Sequence, residues 1–251
     1  MHPSATFECP YIDAGVFAYP LSHTTANRMI LTAQRLGFGG CIIREPWSRD
    51  THHSPLPLSS LLTSIQQKKQ FIVIHGRVYS ALSQKELRRA MQTKDSTLQH
   101  FPTLHIVDAG DTAYNRWVLT TPNVSILSRI HAAPRHAFDH ICAKSATDHG
   151  ICVDINLAAL VPKGAPRQKA LRQYENVITL AKKYEFGLTI SSGAKGYLGI
   201  CTPREIQALC GLFGMGEDMV ARALSAPFHL LHPHRSVRPV SGTCDDSGGE
   251  G

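Results

Sequence analysis

The residues with the most chemical potential are two imidazoles and two carboxylates: His75, Asp108, His131 and Asp154. Each stands in or shortly behind a short apolar run of strand character, and this donor set suits zinc or manganese. A metal-dependent phosphoesterase could be assembled from them. The spacing argues the other way. Metallohydrolases built on β/α barrels generally present a His-x-His pair after the first strand, whereas that place reads Asp13-Ala14-Gly15. The one His-x-His, His232-Pro233-His234, follows the last clear helix, and His52-His53 lies in a loop beside prolines. Among fourteen histidines, such neighbours arise by chance. Ser191-Ser192-Gly193-Ala194 is a second candidate, a serine at a strand-to-helix turn. No G-x-S-x-G elbow is present, and adjacent hydroxyls before a glycine suit backbone capping or phosphate holding better than nucleophilic attack.

The elements that must position these groups alternate in type. Residues 11–14, 40–44, 71–74, 104–107, 124–127, 151–155 and 188–191 read as strands, and most are followed by an amphipathic segment. Near-continuous apolar strands such as Phe71-Ile72-Val73-Ile74 suit a parallel sheet buried on both faces. The fold class is therefore α/β, a TIM-type β/α barrel, and 251 residues with 43% apolar content fit a single such domain over residues 1–240. Its functional groups would project from the strand ends, which also carry Arg44, Glu45, Arg77, Arg129 and Asn156.

Helix signals are strong. Ala26, Met29, Ile30, Ala33 and Leu36 make one stripe that ends at Gly37. Ser83 with Glu86 and Thr202 with Glu205 match capping boxes, the second with Pro203 at the first helical position. Between 167 and 184, residues Ala170, Leu171, Tyr174, Val177, Ile178 and Ala181 line one face. The place of an eighth strand, residues 227–231, is short and precedes His- and Arg-rich sequence, so the barrel has an irregular or missing eighth strand. Residues 241–251, with three acids among Gly and Ser, have nothing to bury and are expected to be a disordered tail.

Charge narrows the partners. Lys and Arg total 26 against 19 acids, a net +7 that favours polyanions. Residues 163–204 hold eight bases and only two acids. Lys163 and Arg167 flank one loop and Lys195 lies in the next, so adjacent loops could form one phosphate-binding rim. Lys182 and Lys183 read as an ordinary solvated helix surface. No RNA-recognition strand, helix-turn-helix or zinc knuckle occurs, so backbone and shape recognition is the expectation. Seven cysteines without a C-x-x-C pair argue against a disulfide framework. With no apolar leader in residues 1–11 and no membrane-length run, a soluble cytoplasmic protein is expected.

The order Asp154-Ile155-Asn156-Leu157-Ala158, Arg167 with its helix to Tyr184, Ile190-Ser191-Ser192-Gly193-Ala194, Pro203-Arg204-Glu205 and Gly214-Met215 resembles the ribonuclease P protein component 3 family. The likeness is strongest over residues 151–226. It implies a barrel related to polymerase-and-histidinol-phosphatase enzymes without their metal chemistry. It also implies a non-catalytic subunit of an endoribonuclease, a hydrolase that removes the 5′ leader of precursor tRNA. Implied partners are the ribonuclease P RNA, precursor tRNA, protein component 2 and other protein subunits, with no membrane. Magnesium would serve the RNA-containing holoenzyme, with no cofactor on this chain. Asp154, Asn156, Ser191, Ser192 and Gly193 are the structural motif. Where the family tends to have Leu-Arg-Ser-Pro, this chain has Ile200-Cys201-Thr202-Pro203, which moves the expected RNA contacts to Lys195 and Arg204, beside Arg129, Lys163 and Arg167. The alternatives are the metal-dependent phosphoesterase and an interaction scaffold outside any ribonucleoprotein.

Overall fold

Seven strands lie in chain order in one parallel sheet: β1 (Ile12–Val16), β2 (Gly40–Pro46), β3 (Ile72–Tyr79), β4 (Thr103–Asp108), β5 (Val124–Ser128), β6 (Cys152–Asn156) and β7 (Leu188–Ser191). The computed structural model describes residues 10–17, 23–47, 71–92 and 102–231. Helices α1 (His23–Arg35), α2 (Gln84–Gln92), α3 (Thr112–Val118), α4 (His140–His149), α5 (Ala165–Tyr184), α6 (Pro203–Gly211) and α7 (Glu217–Leu231) separate or follow the strands. His52-His53, His232-Pro233-His234 and the tail 241–251 lie outside the described residues.

Alternation along each strand divides the core in two. Ile12, Ala14, Ile42, Ile74, Val78, Leu104, Ile106, Ile126 and Cys152 fill the inside of the barrel. Their neighbours, among them Cys41, Ile43, Val73, Val107, Leu127, Val153 and Ile155, join the layer under the helices. Both faces are dry, which is why the strands read as unbroken apolar runs. Both capping boxes form as the spacing predicts: Glu86 and Glu205 accept from the backbone of Ser83 and Thr202, whose hydroxyls accept in return.

One expectation is corrected, and that of an irregular or missing eighth strand is met. Strand β3 does not end at Ile74 but runs to Tyr79. Gly76 within it is a space requirement: a Cβ there would meet Ile42 Cγ2 at 2.6 Å and Ile106 Cδ1 at 2.9 Å. The place of the eighth strand is helical, because Pro227 to Leu231 form the last turns of α7. An internal proline forgoes a hydrogen bond and costs about 3 kcal/mol in an isolated helix. Here Phe228, Leu230 and Leu231, each partly buried, pack against the inner cluster, and that burial of apolar surface works against the loss.

The seam between β7 and β1 is closed in two ways. Near its carboxyl end, Phe17 N donates to Ala194 O at 2.7 Å and Gly193 N to Gly15 O at 3.0 Å. Along the seam, α7 packs on both β7 and β1. The result is a nearly closed, seven-stranded barrel with a helix where an eighth strand would lie.

Candidate functional site

The carboxyl mouth of the barrel is where a fold of this kind holds its chemistry. Here Arg44 occupies it. Period-two alternation puts Arg44 on the same face as Ile42, so its side chain runs inward and is 1% exposed. Its Nε donates to Ala14 O at 2.9 Å, its Nη1 to Ser128 Oγ at 2.8 Å, and its Nη2 stands 2.8 Å from Asp154 Oδ2. Asp154 is fully buried and is met from three more sides: Ser128 Oγ at 3.1 Å, Ser191 Oγ at 2.9 Å and Thr189 Oγ1 at 3.2 Å. Gly15 gives the guanidinium its passage, since a Cβ there would lie 2.1 Å from Arg44 Nε.

Each member of the expected metal set has another partner. Asp154 already faces a fixed cation. His75, expected at a strand end, is mid-strand on the outer face, where its Nε2 lies 2.9 Å from Glu45 Oε2. His131 Nδ1 lies 3.0 Å from the Tyr174 hydroxyl, which donates to Asn156 O at 2.7 Å. With that hydrogen committed, the facing His131 nitrogen is the donor. Burial, with help from Arg129, lowers the His131 pKa to about 4, so the ring is neutral at pH 7. Asp108 is raised, chiefly by burial, and accepts from Ser80 Oγ at 2.6 Å. Among the described residues no three His, Cys, Asp or Glu side chains stand as a metal-holding group.

The Ser-Ser-Gly-Ala run is part of the seam. Asp13 Oδ1 accepts from Gly15 N and Ser192 N, each at 3.0 Å, and Ser192 Oγ accepts from Ala194 N at 3.3 Å. Burial pushes the Asp13 carboxyl up, and its Oδ2 has no partner among the described residues. Gly193 sits at φ +63°, and a Cβ there would be 2.2 Å from Asn156 Oδ1, the atom that caps Ala158 N. Asp154, Asn156, Ser191, Ser192 and Gly193, 39 positions apart at their extremes, thus meet across β6 and β7.

The expected cationic rim is divided. Lys163 and Lys195 are exposed in neighbouring loops. Arg167 turns back on its own loop, its Nε donating to Pro162 O at 2.9 Å and its Nη2 to Val161 O at 3.1 Å. Arg129, at φ +55°, has Nη1 3.6 Å from Asp108 Oδ2. Arg204 lines a different recess with Tyr11, Glu217 and Asp218, where two acids offset it. Lys182 Nζ is spent on Gly214 O at 3.0 Å.

A basic recess that the sequence reading missed lies on the flank. Arg135, His136, Ala165, Gln168, Lys169, Arg172, Gln173 and Asn176 enclose about 530 Å³ between α5 and the segment joining β5 to α4, with no acid in the lining. The spacing 165, 168, 172, 176 on α5 was the available signal; its counterpart, 135–136, has no periodicity to expose it.

Comparison with known proteins agrees with this geometry. The family model described as RNase P subunit p30 matches residues 10–238. The protein named Ribonuclease P protein component 3 from Methanococcoides burtonii is 32% identical over 131 residues, which is 51% of this chain and 54% of that relative. That alignment therefore spans about half the relative's length. Proteins of the same name from Methanothermobacter thermautotrophicus and Methanosarcina barkeri are 25% and 24% identical, over 83% and 90% of this chain and 84% and 90% of theirs. A chain in a cryo-EM structure of archaeal Ribonuclease P with mature tRNA shares the fold at TM-score 0.67 and 17% identity, covering 95% of this chain and 100% of that one. An uncharacterized crystal structure shares it at TM-score 0.57 and 10% identity, over 88% of this chain and 74% of that one.

Proposed function

The chain belongs to the RNase P subunit p30 family, and from that premise we propose that it is a protein subunit of ribonuclease P, the tRNA 5′-processing ribonucleoprotein. The family match over residues 10–238 carries the reading. The sealed mouth of the barrel supports it: the place where a barrel enzyme keeps its reactive groups holds the Arg44–Asp154 pair. Bond cleavage in precursor tRNA accordingly belongs to the RNA, with magnesium held by that RNA, and this chain organises the assembly.

Within the particle the subunit works beside ribonuclease P RNA and tRNA. Its direct protein neighbour on this reading is component 2, with the other protein subunits further out. It acts in the cytoplasm; no helix of the described residues is long and apolar enough to cross a membrane. Lys163 and Lys195 supply phosphate contacts from adjacent loops, Arg129 and Arg204 contribute to the surrounding field, and Arg167 shapes the loop that presents Lys163.

Reconstitution from purified RNA and protein subunits tests this. Adding the chain should lower the magnesium concentration at which 5′-leader removal proceeds. Processing that is indifferent to the chain across the magnesium range would overturn the reading. So would stoichiometric metal binding with phosphoester turnover by the protein alone.

A further inference from the structure

We propose that the flank recess between α5 and residues 129–139 is a groove for an RNA phosphodiester backbone, gripped by the guanidinium groups of Arg135 and Arg172. The inference rests on the ribonuclease P reading and assigns a specific site to it.

The first argument is rigidity. Residues 129–139 form an irregular segment, yet donors from two helices hold its carbonyls. From α5, Lys169 Nζ donates to Ala132 O at 2.9 Å, Gln173 Nε2 to Ala133 O at 3.3 Å and Pro134 O at 3.1 Å, and Asn176 Nδ2 to Phe138 O at 3.1 Å. From α3, Thr112 Oγ1 donates to His136 O at 3.2 Å and Asn115 Nδ2 to Ala137 O at 2.9 Å. Positions 169, 173 and 176 share one helical face, so the clamp follows from α5 being a helix. Lys169, Gln173 and Asn176 are positioning residues. They present Arg135 and His136 on a fixed backbone, with His136 at φ +63°, a left-handed conformation that costs a side-chain-bearing residue on the order of 1–3 kcal/mol.

The second argument is available charge. Arg116 is paired with Asp139, Arg129 faces Asp108, and Arg167 is tied to loop carbonyls. Arg135 and Arg172 have no hydrogen bond or ion pair among the described residues, and no acid lines the recess between them. Two unneutralised guanidinium groups carried on a fixed backbone make a phosphate site in chemical terms.

The third argument chooses the occupant. A docked protein segment needs a buried apolar or aromatic anchor, and among the described residues that line the recess Ala165 alone is apolar by type. Backbone recognition of RNA needs cations for phosphate and donor–acceptor amides for the 2′-hydroxyl, and Gln168 provides such an amide beside Arg172.

The test compares Arg135→Ala/Arg172→Ala with the charge-matched Lys85→Ala/Lys144→Ala, whose exposed lysines sit on α2 and α4. Binding of full-length protein to ribonuclease P RNA is measured across a salt series, and leader removal is followed in the reconstituted holoenzyme. The arginine pair should flatten the dependence of log K on log salt by about 1.4–1.8, since each lost phosphate contact removes about 0.7–0.9. RNA affinity near 0.1 M salt should fall roughly tenfold or more, with thermal melts unchanged, while the lysine pair stays close to wild type. Equal effects of the two pairs, or an unchanged slope in the arginine variant, overturn the groove. Loss of another protein subunit from the particle at unchanged RNA slope also overturns it, by making the recess a protein-docking site. If wild-type chain neither binds the RNA nor assists processing, the function reading itself falls and takes the groove with it.

Discussion

Arg44 and Arg172 carry the same guanidinium on the same barrel, one sealed at the carboxyl mouth and the other open on the flank. Arg44 is held by Ala14 O, Ser128 Oγ and the ion pair with the Asp154 carboxylate. Arg172 borders a recess lined by cationic and amide side chains, with no acid among the described residues of its wall. The first arrangement spends charge on the fold, and the second keeps it available for a polyanion.

The sharpest way to break this contrast is to remove one interior partner. Arg44→Met leaves the Asp154 carboxylate buried without its cation, which should destabilise the protein by about 3–5 kcal/mol. For a domain of this size that corresponds to a melting point lower by roughly 6 to 20 degrees. Arg44→Met combined with Asp154→Leu should recover a large part of the loss, because the desolvation of both charges disappears together. Thermal melts of the two single variants and the double variant measure the coupling. A double variant as unstable as the sum of the singles would mean that the pair contributes nothing as a pair.

Gly15→Ala approaches the same network from the backbone. Its Cβ would overlap Arg44 Nε at 2.1 Å, forcing the guanidinium from its seat at a cost of about 1–3 kcal/mol, as in other overpacked cores. Urea unfolding gives the size. Arg135→Ala should leave the same curve in place, and a comparable shift there would erase the distinction between mouth and flank.

What could be read from the sequence follows the range of the interactions. Ser83 with Glu86, Thr202 with Glu205, and the buried face of α5 are contacts within four residues or one helical period, so spacing alone reveals them. Gly76 and Pro227 show the same rule in reverse. Each is a local breaker whose effect is decided by distant neighbours: the crowding of Ile42 and Ile106 around Gly76, and the inner cluster that receives Phe228. The flank recess was hidden because its walls are about 35 residues apart and one of them has no periodic pattern. The inward course of Arg44 was legible in principle, since Ile42 and Arg44 share a strand face and a buried cation demands a carboxylate.

Acid sharpens the comparison further. His131 sits between mouth and flank with a pKa near 4, against an ordinary value of 6.5. Between those values the unfolded chain binds a proton that the folded chain does not, so stability falls as pH drops below about 6.5. His105, also lowered to about 4 by burial, adds in the same direction. Asp13 and Asp108, raised by burial, oppose it. His131→Gln keeps a donor toward Tyr174 and removes one titration, so its melting point should decline less than wild type by the equivalent of about 1 kcal/mol between pH 6.5 and 5.5. Parallel declines would show that His131 is protonated in the native state.

The smallest expected effect belongs to Arg167, and it separates a rim at the mouth from a groove on the flank. Its guanidinium donates to Val161 O and Pro162 O, bonds worth about 1 kcal/mol in total where the side chain is exposed. Because those donors face the loop, Arg167→Ala should loosen residues 161–164 while changing the salt dependence of RNA binding by less than Arg172→Ala does. Adding Lys195→Ala removes an exposed cation from the neighbouring loop and should lower processing at limiting magnesium only modestly. If Arg167→Ala instead flattens the salt dependence as much as Arg172→Ala, the bonds to the loop give way to phosphate when RNA binds. The cationic surface would then run continuously from the β6 and β7 loops along α5 into the recess.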